Sequence, residues 1–236
     1  MYGRNSIPFF SFVLLALLAV PAWACQLVII GSTSPDHPAG GMIEDGATVT
    51  LATGTELSLV SESGQVIMLK GPHSGAVAAA AGGGDKTLTA ALAKLVAPQG
   101  AGASKLGVMR GSAKAEPPDV WHIDVRRSGT HCFRAGTVPA LWRANTKKSG
   151  SLSLKELPKG GKTKVDWPKG AADLKWPSGV SVRDGMSVMV RLKGQRTAAR
   201  VKLKQMPGLS TDAHRVVWMA ENGCVGQARK LLATLR

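Results

Sequence analysis

From Asp119 to Gln205 apolar and polar residues alternate in short runs, and the polar positions are crowded with Lys and Arg. A two-residue period buries one face of a strand and leaves the other in water. This stretch is therefore expected to fold as β-strands with a cationic outer surface. In Leu152-Ser153-Leu154-Lys155 and Val201-Lys202-Leu203-Lys204 the aliphatic groups turn in and the ammonium groups turn out. Strands are expected at Val120 to Arg126, His131 to Arg134, Val138 to Ala144, Ser151 to Leu157, Ala172 to Lys175, Ser187 to Leu192 and Ala198 to Lys204, with Gly or Pro turns between them. That spacing predicts an immunoglobulin-like or fibronectin-like β-sandwich over residues 119–207.

The positive charge is local. Lys and Arg number 3 against 6 Asp and Glu in residues 25–99, 22 against 7 in residues 100–205, and 4 against 2 in residues 206–236. Such a field concentrates anionic partners near a surface and speeds encounter, though it selects no chemistry. Part of it also has a purely protective use, since lysines on strand edges block unwanted pairing. Candidates for contact with an anionic partner are Arg126, Arg127, Arg143, Lys147, Lys148, Lys155, Lys159, Lys162, Lys164, Lys169, Lys175, Arg191, Lys193, Arg196, Arg200, Lys202 and Lys204. The narrower set is Arg126, Arg127, Arg143, Lys147, Lys148, Lys162, Lys164, Lys169 and Lys175, joined by Trp167 and Trp176. Each of these two Trp precedes a Pro in a turn, which marks it for exposure, whereas Trp121, Trp142 and Trp218 are expected in cores.

The first 24 residues have the layout of a secretory signal. Arg4 precedes an apolar run from Ile7 to Val20, followed by Pro21 and the small-x-small triplet Ala22-Trp23-Ala24. The run is shorter than the roughly 20 residues that span a bilayer. Cleavage before Cys25 and a periplasmic location are expected, with membrane association only if Cys25 is lipidated. In an oxidising compartment Cys132 and Cys224 form the natural disulfide, leaving Cys25 odd.

Residues 25–97 are expected as a small β domain with a closing helix. Strands fall at Leu27 to Ile30, Ala47 to Leu51, Glu56 to Val60 and Gln65 to Leu69, separated by turns at Asp45-Gly46, Thr53-Gly54 and Ser63-Gly64. Gly71 to Gly84 reads as a flexible passage. Asp85 then caps a helix whose Leu88, Leu92 and Leu95 recur at helical spacing before Pro98 stops it. The succession Gly41-Met42-Ile43, Gly46, Leu51, Thr53-Gly54, Leu57, Leu59, Ser63-Gly64, Leu69 and Gly71-Pro72 resembles the periplasmic domain of FecR-type proteins. The resemblance implies a Gram-negative periplasmic β domain used in sensing or protein contact, and it carries over no catalytic residue. Ser63 stands where that family usually has Asp.

Residues 98–118, with Gly100-Ala101-Gly102 and Pro117-Pro118, read as a linker. Residues 208–236 read as a helical hairpin packed on the sandwich. Ser210-Thr211-Asp212 offers a cap, Asn222-Gly223 a stop, and Cys224 the turn.

Catalytic motifs are absent from the sequence. Gly160-Gly161-Lys162-Thr163 resembles the end of a phosphate-binding loop, but Glu156 stands where the first Gly is required, so a solvated basic turn is expected. Neighbouring His131 and Cys132 point to opposite faces of a strand and cannot act as base and thiolate. His37, His73, His122, His131 and His214 have no metal-ligand spacing, and no cofactor is implied. The leading expectation is a non-enzymatic envelope module that binds, senses or scaffolds, with an acidic protein or an anionic envelope component as its partner. An exported enzyme acting on an envelope polymer and an extracellular nucleic-acid binder are the alternatives. Export disfavours nucleic acid, and an enzyme would need a cleft that gathers carboxylates, or a histidine with a nucleophile.

Overall fold

The computed structural model describes residues 25–79, 84–97 and 115–236. The expected signal segment and residues 98–114 of the expected linker lie outside the described residues. Among the described residues the chain is mainly β, with three helices.

In the N-terminal part, β1 (Gln26–Ser32), β2 (Met42–Glu44), β4 (Glu56–Ser61) and β5 (Val66–Lys70) form an antiparallel sheet in the order β2-β1-β4-β5. A second ribbon pairs β3 (Thr48–Leu51) with β6 (His73–Ala76). Alternation divides the first sheet between two cores. Leu27, Ile29, Leu57 and Leu59 meet Val49 and Leu51 of the ribbon. Val28, Ile30 and Val60 point the other way, toward α1 (Lys86–Val96) with its Leu88 and Leu92. The Asp85 carboxylate accepts from the Thr87 amide and caps α1 as expected. The expected turns at Gly46, Gly54 and Gly64 are present, each glycine taking the left-handed backbone that a side chain would strain. One expectation is corrected. Residues 73–76 are not a flexible passage but a strand, because His73 to Ala76 completes the backbone ladder of β3.

The central part is a sandwich of two sheets. One holds β11 (Lys162–Trp167), β10 (Gly150–Leu157), β13 (Ser187–Leu192), β14 (Ala199–Met206) and β8 (Gly129–Arg134), in that order. The other holds β12 (Asp173–Lys175), β9 (Ala140–Trp142) and β7 (His122–Asp124). Ile123 and Leu141 from the smaller sheet and Leu152, Leu154, Val188, Val190, Val201 and Leu203 from the larger share one core. The β14–β8 and β7–β9 pairs are parallel. The expected strand from Val120 to Arg126 shortens to β7. Lys162 to Trp167, read as following a basic turn, is an eighth strand that the sequence reading missed.

The C-terminal helices α2 (Asp212–Glu221) and α3 (Val225–Ala233) form the expected hairpin. Thr211 caps the first by accepting from the His214 amide. Their Ala213, Val216, Met219, Ala228, Leu231 and Leu232 pack with Val28, Ile30 and Val60 of the first sheet, with Leu88 and Leu92 of α1, and with Cys132 and Met206 of the sandwich. The hairpin therefore reaches beyond the sandwich and joins both β parts through one core. The expected Cys132–Cys224 disulfide is formed, with 5.8 Å between Cα atoms, and ties the sandwich to this joint.

Candidate functional site

The outer face of the five-stranded sheet follows from strand parity. In β10 Leu152 and Leu154 are buried, so Ser151, Ser153 and Lys155 face out. In β13 Val188 and Val190 are buried, leaving Met189 and Arg191 outward; in β14 Val201 and Leu203 are buried, leaving Arg200 and Lys202 outward. In β11 the buried Trp167 fixes the parity that turns Lys162, Lys164 and Asp166 outward.

Register then sets who stands beside whom. Lys155 lies directly opposite Lys162 on one side and Met189 on the other, and Met189 lies opposite Arg200. One step along the strands, Lys164, Ser153 and Arg191 form a second row. One step the other way from the first row, Lys202 lies opposite Ser187. Lys155, Lys162, Lys164, Arg191, Arg200 and Lys202 are all exposed. Among the described residues none of the six has a carboxylate within ion-pair distance. Like charges directly opposite in a sheet are mutually destabilising, by a few tenths to about 1 kcal/mol per pair. The face carries that repulsion with one carboxylate of its own, Asp166 opposite Ser151, which pairs with none of the six.

The narrower set of contact candidates divides. Lys162 and Lys164 belong to the face. Lys147, Lys148 and Lys169 are exposed at one end of the sandwich, where the Gly170 amide donates to Thr146 O and brings their two loops together. Lys175 is exposed on β12, in the opposite sheet. Arg126 and Arg127 both hold the buried Asp124 carboxylate, at 3.1 and 3.5 Å, and Arg127 also reaches Glu116. They neutralise a buried acid.

Three residues of that set are corrected outright. Arg143 is only 3% exposed. Its Nη2 donates to Pro168 O at 2.6 Å and its Nε to Ala171 O at 3.1 Å, while the guanidinium lies over the Trp167 ring. Trp167 and Trp176 are 0% and 6% exposed, contrary to the exposure expected of them. Each indole N–H donates to the carbonyl four residues on, Ala171 for Trp167 and Val180 for Trp176. The turn that each Pro begins thus folds back over its own ring. Trp121 and Trp218, expected in cores, are half-buried, and Trp142 is buried as expected.

Clefts open on the sandwich at two places among the described residues. One of ≈ 410 Å³ lies at the corner of the cationic face, between Leu157-Pro158, the Arg183 to Ser187 turn and Arg200. Its charges are largely engaged: Arg183 pairs with Glu156, while Asp184 accepts from the Gln205 amide and Lys204 Nζ. Those contacts, the Gln205 amide foremost, hold the Asp184 carboxyl below its usual range. The other, ≈ 270 Å³, is lined by Asp119, Trp121, His122, Arg134 and Val138 among others. There Arg134 stacks on Trp121 at 4.2 Å, His122 Nε2 lies 3.6 Å from Asp173, and Asp119 accepts from the Trp121 amide.

His131 and Cys132 do face opposite ways, Cys132 toward the hairpin core and His131 alongside Leu203. Among the described residues His131 Nδ1 is buried with no hydrogen-bond partner, and burial pushes the ring down to about 4 against the pull of nearby Asp124. Cys25 is a free thiol that burial and the neighbouring buried Glu62 raise above its ordinary range. Among the described residues no group of three or more His, Cys, Asp or Glu is placed to hold a metal ion, and no helix is long and apolar enough to cross a membrane. Comparison with known proteins finds no matching family model and no matching curated protein.

Proposed function

We propose that this chain is an exported, non-enzymatic envelope module whose basic sandwich binds an anionic partner. The observation that supports it is the shared face of Lys155, Lys162, Lys164, Arg191, Arg200 and Lys202, unpaired and with Lys155 opposite Lys162. An outside anion relieves that repulsion. The disulfide agrees with an oxidising compartment, and the likeness of residues 41–72 to FecR-type periplasmic domains supports a role in contact or sensing in the periplasm.

The test is binding of the full-length mature protein to isolated envelope material across a salt series. Binding is expected to weaken steeply as salt passes physiological strength and to be lost in Lys155→Glu/Arg191→Glu/Arg200→Glu. Binding that neither salt nor the triple variant reduces would overturn the proposal.

A further inference from the structure

The cationic face is a floor with a wall on one side. Along β14 the outward positions run Arg200, Lys202, Lys204 and Met206. Arg200 and Lys202 are exposed, but Met206 is buried under the C-terminal hairpin together with Cys132 of β8. The hairpin therefore stands on the same side of the sheet as the cations, at the far end of β14 and β8. A helix with its side chains is about 10 Å across, so the wall rises well above lysine reach. The N-terminal sheet packs behind it on the same core. A flat membrane surface cannot lie flush on such a floor, whereas a flexible chain can run across it.

The floor also lacks what a protein partner needs. Protein interfaces centre on exposed aromatic or aliphatic anchors seated in desolvated pockets. Among the described residues the exposed large hydrophobic side chains are Met42, Met68 and Val138, none of which is on this face. Its uncharged positions are Ser151, Ser153, Ser187 and Met189. No Trp lies among them, so bases or sugars find no ring to stack on.

Cations fill a band that crosses the strands. Lys162, Lys155 and Arg200 stand in one row at β11, β10 and β14, with Lys164 and Arg191 in the next. Neighbouring strands are about 4.8 Å apart and successive outward residues roughly 7 Å apart. The spacing suits closely repeated anionic groups, and the two guanidinium groups can give phosphate or carboxylate oxygens two parallel hydrogen bonds.

Resting on the anion-binding reading above, we infer that the occupant is a linear phosphate polymer, laid across the strands along the Lys162–Lys155–Arg200 row and held by ion pairs and charge-assisted hydrogen bonds with no apolar anchor. The experiment titrates the disulfide-bonded protein with long-chain inorganic polyphosphate, poly-glutamate, single-stranded DNA of matched charge, and vesicles containing phosphatidylglycerol. Polyphosphate is expected to bind most tightly, with log K falling against log salt at a slope of about −3 to −4, as for release of about five counterions. Lys155→Glu/Arg200→Glu is expected to weaken it at least about tenfold, and Lys147→Glu/Lys148→Glu, an equal charge change at the end of the sandwich, no more than about threefold. Thermal melts of both variants check that the fold is intact.

Equal losses in the two variants would overturn the assignment to the row. Tighter binding of vesicles, poly-glutamate or DNA would overturn the phosphate polymer yet leave the anion-binding reading standing. Failure of all four anions to bind would remove both.

Discussion

The side-chain amide of Gln227, on α3, closes the outer edge of β8 at Cys132. Its Oε1 accepts from the Cys132 amide at 2.6 Å, and its Nε2 donates to Cys132 O and Val120 O, both at 2.9 Å. The side chain thus does for β8 what a neighbouring strand does elsewhere in the sheet, and Gln227 is itself buried. Gln227→Ala leaves a buried N–H and C=O without partners. A loss of about 2–4 kcal/mol in unfolding free energy is expected, measured by urea denaturation.

The bond between Cys132 and Cys224 sits beside that amide and closes a loop with a sequence separation of 92. Reduction, or the Cys132→Ser/Cys224→Ser pair, is expected to lower stability by about 4–5 kcal/mol in the chain-entropy picture. Thermal melts with and without reductant on the same preparation measure it directly, and a shift of only a degree or two would count against a tied joint.

Acid should act on the sandwich before it reaches the carboxylates. His131 is held at about 4, below its ordinary 6.5, so the folded state resists a proton that the unfolded chain accepts. Its contribution is complete above about pH 6.5 and lost as pH falls toward 4, a decline on the order of 3 kcal/mol. Asp85 and Asp184, held below their ordinary 3.8 mainly by hydrogen bonds from Thr87 and the Gln205 amide, add their losses only under about pH 4. Stability measured between pH 7 and 4.5 covers the window in which this loss falls. His131→Gln should flatten the curve in that window.

Arg143 should behave as a core residue despite its charge. Arg143→Lys keeps the cation but cannot span Pro168 O and Ala171 O while covering Trp167, so a cost of about 2 kcal/mol is expected. Affinity for anions should change by less than about twofold. Paired denaturation and binding measurements on this variant separate structural from contact cations.

Much of the β architecture is legible in alternation, because period-two burial of Leu and Val leaves a pattern that side-chain type reveals. β11 escapes it. Lys162-Thr163-Lys164-Val165-Asp166-Trp167 alternates too, but Thr163 is a poor apolar marker and the preceding Gly160-Gly161 draws attention to a loop. β6 escapes for want of bulk, since His73-Ser74-Gly75-Ala76 contributes mostly backbone to its ribbon. Outward parity of individual lysines follows from the sequence, whereas their meeting across strands depends on register, which alternation within one strand does not contain. The burial of Arg143, Trp167 and Trp176 depends on carbonyls offered by turns whose path only the fold determines.

The core around the helical hairpin brings Val28 and Ile30, near the start of the described chain, against Leu231 and Leu232, near its end. Each β part keeps an interior of its own, but Val28, Ile30 and Val60 on one and Cys132 and Met206 on the other stay uncovered until α2 and α3 are in place. Removing the Leu231 and Leu232 side chains would therefore open part of the seam that the two halves share.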